Sequence, residues 1–377
     1  MKKNKLIKYQ LPILFLILIM APFILSFLKI EGFQRKDENR AFKDNVSLKI
    51  NQLDRFPTDF NAYFSDNFFF RSPLLNIYHQ TKFYIFNTSP HPNKTLIGRD
   101  GWNFKGGIEL EILGGRKNFT EKQLTEFTNE WKRRKDYFDK KEIPIFWVIA
   151  PMKHQIYDQQ LPYSIQASQK NRIHNLKKHL DKSLPGLLIY PDKVLKKQKD
   201  NHKLYFQLDN HWNQRAGSIV SEIIIEKVRK HFPNQNIPSA TALKWKKDTL
   251  QEGYHYNVLG IPELYEISES IMPNSYHSTT TEKFGFTPVP GFAYPWEYER
   301  RYKNDRIENG VRILFIRDSF GAALIPFIRE SFAESLFIFD AWQFKVNEEI
   351  VEQYKPDVVV FIGLETNPEN TLKKYGN

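Results

Sequence analysis

The stretch Val311-Arg312-Ile313-Leu314-Phe315-Ile316-Arg317-Asp318-Ser319-Phe320-Gly321 decides the fold. Val311 to Ile316 is an apolar run broken only by Arg312, of the length and composition of a buried strand. It stops at a polar triplet, followed by Phe320 and a glycine, and Ala322 to Phe332 comes next as a helical segment. Further strands of the same kind are Ile143 to Ala150, Gly186 to Tyr190, Ser335 to Phe339 and Asp357 to Ile362. Helices alternate with them. Thr120 with Gln123 forms a capping box for a helix running to Lys141. Gln169 to Leu184 reads as a second. Ala216, Ile219, Val220, Ile223, Ile224, Val228 and Phe232 recur at helical spacing as a third, and Asn347 to Tyr354 closes the series. Continuous apolar strands between helices predict an α/β fold with a central parallel sheet covered on both faces. Ligands in such sheets bind beyond the carboxyl ends of the strands, where Lys153, Asp318, Ser319, Asp340 and Glu365 are expected.

A second segment gives that sheet edge a chemistry. Leu208-Asp209-Asn210-His211-Trp212 puts a carboxylate and an imidazole two residues apart, on the same side of an extended backbone. Serine is a poor nucleophile until a base takes its proton. His211 can be that base for Ser319, with Asp209 fixing its tautomer and steadying the imidazolium. The turn and helix after Ser319 would direct backbone N–H groups at a developing oxyanion, and Gly321 would permit close backbone approach. Other readings of the same residues are a helix cap at Asp318-Ser319 and a metal-binding Asp-x-His pair. No His-rich or carboxylate-rich cluster supplies further ligands, so no metal site is expected. Trp212 reads as a wall of the site or as core. Lys153 is a candidate for an acyl carbonyl or acidic sugar, or a solvated loop lysine, and Tyr157 lies in the same segment. Arg317 can approach an oxyanion or pair with a carboxylate. Trp296, Tyr298 and Tyr302 can stack on sugar rings or pack in the core.

The formal net charge of +12 calls for an anionic neighbour: nucleic acid, lipid or acidic polysaccharide. No phosphate loop, zinc-finger spacing or RNA-binding aromatic pattern is present, which weighs against nucleic acid. The absence of cysteine excludes disulfides, thiolate metal sites and a Cys nucleophile. Lys2, Lys3, Lys5 and Lys8 precede an apolar run from Leu11 to Leu28, close to the roughly 20 residues that cross a bilayer. The basic cluster places the N-terminus inside and the chain beyond Ile30 outside. The bulky tail Ile24 to Leu28 lacks a small-x-small cleavage pattern, so an uncleaved signal anchor is expected.

Several segments together resemble the alginate O-acetyltransferase (AlgJ/AlgX-like) family and its SGNH-hydrolase-like domain. They are Asp209-Asn210-His211-Trp212 and Arg317 to Gly321, Gly98-Arg99-Asp100-Gly101-Trp102-Asn103-Phe104, Ala150-Pro151 to Tyr157 with Leu161-Pro162, and Asp66-Asn67-Phe68 to Arg71. The resemblance runs from about Asn39 to the C-terminus. It implies an SGNH-hydrolase-like three-layer fold, Ser319 as nucleophile, His211 as base and Asp209 as orienting acid. As in that family, the Asp-x-His element precedes the serine. Arg317 stands where SGNH enzymes usually carry glycine, and the customary separate Gly and Asn oxyanion donors are not identifiable. The resemblance further implies O-acetylation of a cell-surface or secreted polysaccharide, with a multispanning membrane acyltransferase as acetyl donor and no dissociable cofactor. An anchored form of the family is closer to this chain than one with an added carbohydrate-binding module. The expected layout is a membrane anchor over 1–30, a helical membrane-proximal region over 31–95 and the catalytic domain over 96–377, with an irregular insertion at 248–302. A deacetylase or esterase using the same three residues, and an inactive polysaccharide-binding assembly protein, are the competing functions.

Overall fold

The computed structural model describes residues 3–26, 42–43, 46–50, 53–240, 242–340 and 345–372. Its strands are β1 Thr95–Ile97, β2 Asn103–Lys105, β3 Ile145–Ala150, β4 Leu188–Ile189, β5 Trp245–Leu250, β6 Glu266–Ile271, β7 Thr279–Thr280, β8 Glu299–Lys303, β9 Arg312–Arg317, β10 Glu334–Phe339 and β11 Val358–Leu364. Seven of them form one sheet in the order β4-β3-β11-β9-β10-β8-β7. The pairs from β4 to β10 are parallel, whereas β8 pairs antiparallel with β10 and with β7. The sheet is therefore mostly parallel, with an antiparallel edge that the strand count from sequence did not include. β8 reads Glu-Arg-Arg-Tyr-Lys, and its charged residues hide a strand in which Glu299 and Tyr302 are both buried.

The sheet is buried on both faces, and the alternation along its central strands assigns each side chain. Ile313 and Phe315 of β9, with Val358, Val360 and Ile362 of β11, belong to the core on one face, together with Ala216, Val220 and Ile224 of the helix Gln214–His231. Leu314, Ile316, Val359 and Phe361 point the other way. There they join Phe127, Trp131 and Phe138 of the helix Glu121–Asp139, and Ile350 and Tyr354 of Glu348–Tyr354. Period two along a strand makes this division automatic. Helix starts coincide with their caps. Thr120 and Gln123 make the reciprocal box, and the Asn213 side chain accepts from the amides of Arg215 and Ala216. The Leu96 to Phe104 segment is a hairpin, with β1 and β2 antiparallel and Asp100 and Gly101 both at positive φ. The stretch 248–302 carries more regular structure than its composition suggests, including the antiparallel β5–β6 pair and β8.

Contacts divide the chain into two units, Met1–Pro90 with Asn257–Pro262, and His91–Tyr256 with Glu263–Asn377. The sheet belongs to the second. The first includes the helices Phe56–Asn67 and Arg71–Gln80, and on the former Phe56, Phe60 and Phe64 stack in sequence along one face. A helix also spans Lys3–Ser26, over the segment expected to be an anchor, and its residues Leu11 to Met20 are exposed. Among the described residues no helix is long and apolar enough to cross a membrane. Residues 27–41, which include the end of the apolar run at Leu28, lie outside the described residues.

Candidate active site

Ser319 stands at the carboxyl end of β9, in the middle of the sheet, where the chain leaves the strand into a short 3₁₀ turn, Ser319–Leu324. Asp318 builds that turn. Its Oδ1 accepts from the Phe320 amide at 2.8 Å and its Oδ2 from the Leu364 amide at 2.7 Å, so one buried carboxylate caps the turn and ties it to β11. The cap therefore falls to Asp318, and the Ser319 hydroxyl is left for other partners. Gly321 is required by packing: a Cβ there would lie 2.6 Å from Cβ of Arg317 and 3.1 Å from Ile362. Its close approach is to its own strand. The amides of Phe320 and Gly321 both donate to Asp318, to its carboxylate and its carbonyl respectively. The expected supply of free N–H groups from this turn is reduced accordingly.

The Asp209–Trp212 segment reaches Ser319 because the helix it opens packs on the serine turn. Gly217 makes the approach possible, since a Cβ there would sit 2.0 Å from the Ala323 carbonyl oxygen. The Trp212 indole N–H donates to the Phe320 carbonyl at 2.7 Å, and the His211 and Phe320 rings lie 4.7 Å apart. In that setting His211 Nε2 is 2.8 Å from Ser319 Oγ, and Nδ1 is 2.5 Å from Asp209 Oδ1. Asp209 also accepts the His211 amide at 2.8 Å and, on Oδ2, the Tyr254 amide at 2.6 Å. Burial pushes the Asp209 carboxyl up, but the His211 ring bond and charge and the two amides outweigh it. The result lies well below the usual carboxylate range. A carboxylate held ionised, an imidazole between it and a hydroxyl, and that hydroxyl at a strand end are an arrangement suited to nucleophilic acyl chemistry.

A cavity of about 470 Å³ opens at these groups. Asp209, His211, Trp212 and Ser319 line it, with Phe206, Leu250, Glu252, Gly253 and Ala322 among the other walls. Of the residues expected to touch substrate, Trp212 is therefore at the cavity, while Lys153, Tyr157, Arg317 and Gly321 are not among its lining residues. Lys153 is 1 % exposed, and its ammonium donates to the carbonyls of Asp209 at 2.6 Å and Phe206 at 3.0 Å. It holds the histidine-bearing loop from behind. Burial pulls its pKa down to about 7. Tyr157 is buried, stacked on Trp102 at 3.9 Å, and its hydroxyl accepts from the Leu204 amide. Arg317 is buried as well, pairing with Glu297 at 3.1 Å and lying over the Phe339 ring. Tyr298 and Tyr302 are core residues, and Trp296 is exposed.

Sequence reading missed Glu266 and Tyr254. The buried Glu266 carboxylate accepts from the amides of Gln207 and Leu208 and from Lys203. It lies 57 residues beyond Asp209 in an unremarkable Tyr-Glu-Ile context, with no signal to mark it. Among the described residues no group of His, Asp and Glu is arranged to hold a metal ion.

Comparison with known proteins gives a family and a set of distant structures. The model of the family described as ALGX, SGNH hydrolase-like domain, acetyltransferase AlgX, matches residues 95–284. Among solved structures, Bacillus cereus PatB1 aligns with a TM-score of 0.49 at 14 % identity, over 74 % of this chain and 98 % of that one. The O-acetyltransferase domain of Pseudomonas putida AlgJ gives 0.49 at 14 %, over 74 % and 93 %. Pseudomonas aeruginosa AlgX gives 0.47 at 14 %, over 79 % and 66 %. No curated protein sequence matches.

Proposed function

The chain belongs to the family of SGNH hydrolase-like domains described by the acetyltransferase AlgX, and on that footing we propose that it is an extracytoplasmic O-acetyltransferase acting on a cell-surface or secreted polysaccharide. The observation that carries the mechanism is the 2.8 Å contact between His211 Nε2 and Ser319 Oγ, backed by Asp209 on the other ring nitrogen.

In this reading Ser319 Oγ attacks the carbonyl carbon of an acetyl donor while His211 Nε2 takes the hydroxyl proton. Asp209 accepts from Nδ1–H throughout and stabilises the imidazolium. As the donor's leaving group departs, His211 returns the proton to it, and Ser319 carries the acetyl group as an ester. A sugar hydroxyl then enters the cavity, loses its proton to His211 and attacks the same carbonyl. The acetylated sugar leaves, and the proton goes back to Ser319. A multispanning membrane acyltransferase supplies the acetyl group from across the membrane, and the segment over 1–30 holds this chain at the membrane beside it, N-terminus inside.

Transfer and hydrolysis share every step up to the acyl-serine and differ in whether sugar or water resolves it. Supplying an activated acetyl ester with and without polysaccharide separates them. The proposal expects acetylated sugar at the expense of free acetate, with both products lost in Ser319→Ala. Free acetate alone, undiminished by polysaccharide, would make the protein an esterase. Polysaccharide binding with no turnover dependent on Ser319 would make it a binding protein.

A further inference from the structure

The charge of the cavity around Ser319 runs against the charge of the whole chain. The protein carries a formal +12, yet among the described lining residues there is no Lys or Arg, and three carboxylates, Asp209, Glu252 and Glu266, are present. Two of the three have partners within the protein. Asp209 is bonded to His211, and Glu266 pairs with Lys203 at 3.0 Å. Glu252 is exposed at the rim and has no ion pair or hydrogen bond among the described residues. The nearby buried cation, Lys153, is turned away and committed to two backbone carbonyls. Phe206, Leu250, Ala322 and Ala323 give apolar wall, and Asn213 and Gln214 are the neutral polar residues of the lining.

We propose that the acceptor sugar of this site bears no carboxylate: the cavity is built for a neutral or amino sugar, with Glu252 as the group that receives its hydroxyl or ammonium and turns uronates away. The inference rests on the acetyltransfer reading and narrows it to a substrate class. A uronate ring seated here would bring its carboxylate against Glu252 and Asp209 with no guanidinium or ammonium to meet it, a like-charge juxtaposition that interfaces use to reject wrong partners. A neutral ring offers hydroxyls to the same carboxylate and an apolar face to Phe206 and Leu250, and an amino sugar adds an attractive charge.

The test uses the full chain, an activated acetyl ester as donor, and three acceptors of matched length: a neutral hexose oligomer, a glucosamine oligomer and a uronate oligomer. The expected result is transfer to one of the first two exceeding transfer to the uronate by roughly tenfold at low salt, with Glu252→Gln narrowing that gap. Equal or better transfer to the uronate, or a gap untouched by Glu252→Gln, overturns the inference. Should the donor ester not be consumed at all, acetyltransfer itself fails, and the inference is then read from binding. Affinities of the same oligomers are compared between Ser319→Ala and Ser319→Ala with Glu252→Gln. The difference isolates the cavity from general attraction of polyanions to a basic protein. Improved uronate binding on removing the carboxylate supports the inference; no change overturns it.

Discussion

Asp209 takes hydrogen bonds from two backbone amides and one imidazole, and so its carboxyl titrates well below its ordinary value of about 3.9. A group depressed in the folded state stabilises the fold above its unfolded pKa and loses that contribution as pH falls toward the folded value. Denaturant midpoints measured from pH 6 down to about 2 should therefore fall on the acid side, and Asp209→Asn should flatten that fall. The same substitution leaves His211 without its acceptor and should lower kcat by about 10³–10⁴, with the protein still folded. Burial shifts Lys153 downward. Its folded pKa of about 7 lies below the unfolded value, so the unfolded chain binds more protons between the two and stability rises with pH across that window. A neutral amine still donates two hydrogen bonds, one for each of the carbonyls it meets. Lys153→Met should abolish the rise and cost about 2 kcal/mol, the penalty for two buried acceptors left unpaired. Urea unfolding at pH 7 and pH 9.5 reads both effects.

At the scale of elements, the site exists because the helix Gln214–His231 and the turn Ser319–Leu324 touch at one glycine. Replacing Gly217 by alanine would drive a methyl into the Ala323 carbonyl and separate His211 from Ser319. Overpacking of this kind costs about 1–3 kcal/mol. Gly217→Ala should lower both stability and turnover, whereas Ser218→Ala, one residue on and half-exposed, should change neither. Two charged groups also clamp the loop before the helix, Glu266 on its amides and Lys153 on its carbonyls. The parts of this arrangement differed in legibility. Asp209 and His211 were readable because they are two apart, and Ser319 because an apolar strand ends on it. The clamp was not, because it joins residues scattered from 153 to 266 whose neighbours in sequence are ordinary. Lys153 looked like a loop residue at a strand end. Its burial comes from Trp102 and Phe104 on a distant hairpin, over whose rings its ammonium lies. Gly321 was read as a close approach at the oxyanion, whereas the contact that excludes a side chain there, with Arg317 and Ile362, could only be seen in three dimensions.

For the whole molecule, alternating apolar strands and helices made the layered α/β architecture readable, but not the order of its strands. Pairing order depends on which crossovers pack, and the antiparallel strand β8, between β10 and the edge strand β7, opens on Glu-Arg-Arg, which does not read as sheet. Membrane attachment is a prediction at this scale as well. The full chain should sediment with membranes and resist an alkaline carbonate wash, and its release by that wash would count against the segment over 1–30 as an anchor. The account as a whole stands on Ser319 carrying an acetyl group that His211 helped to place there. The most direct measurement is peptide mapping by mass spectrometry after brief exposure to an activated acetyl ester and acid quench. One acetyl group on the peptide containing Ser319, absent in His211→Ala, is the predicted result. An unmodified Ser319 peptide in a protein that still turns the ester over would contradict it.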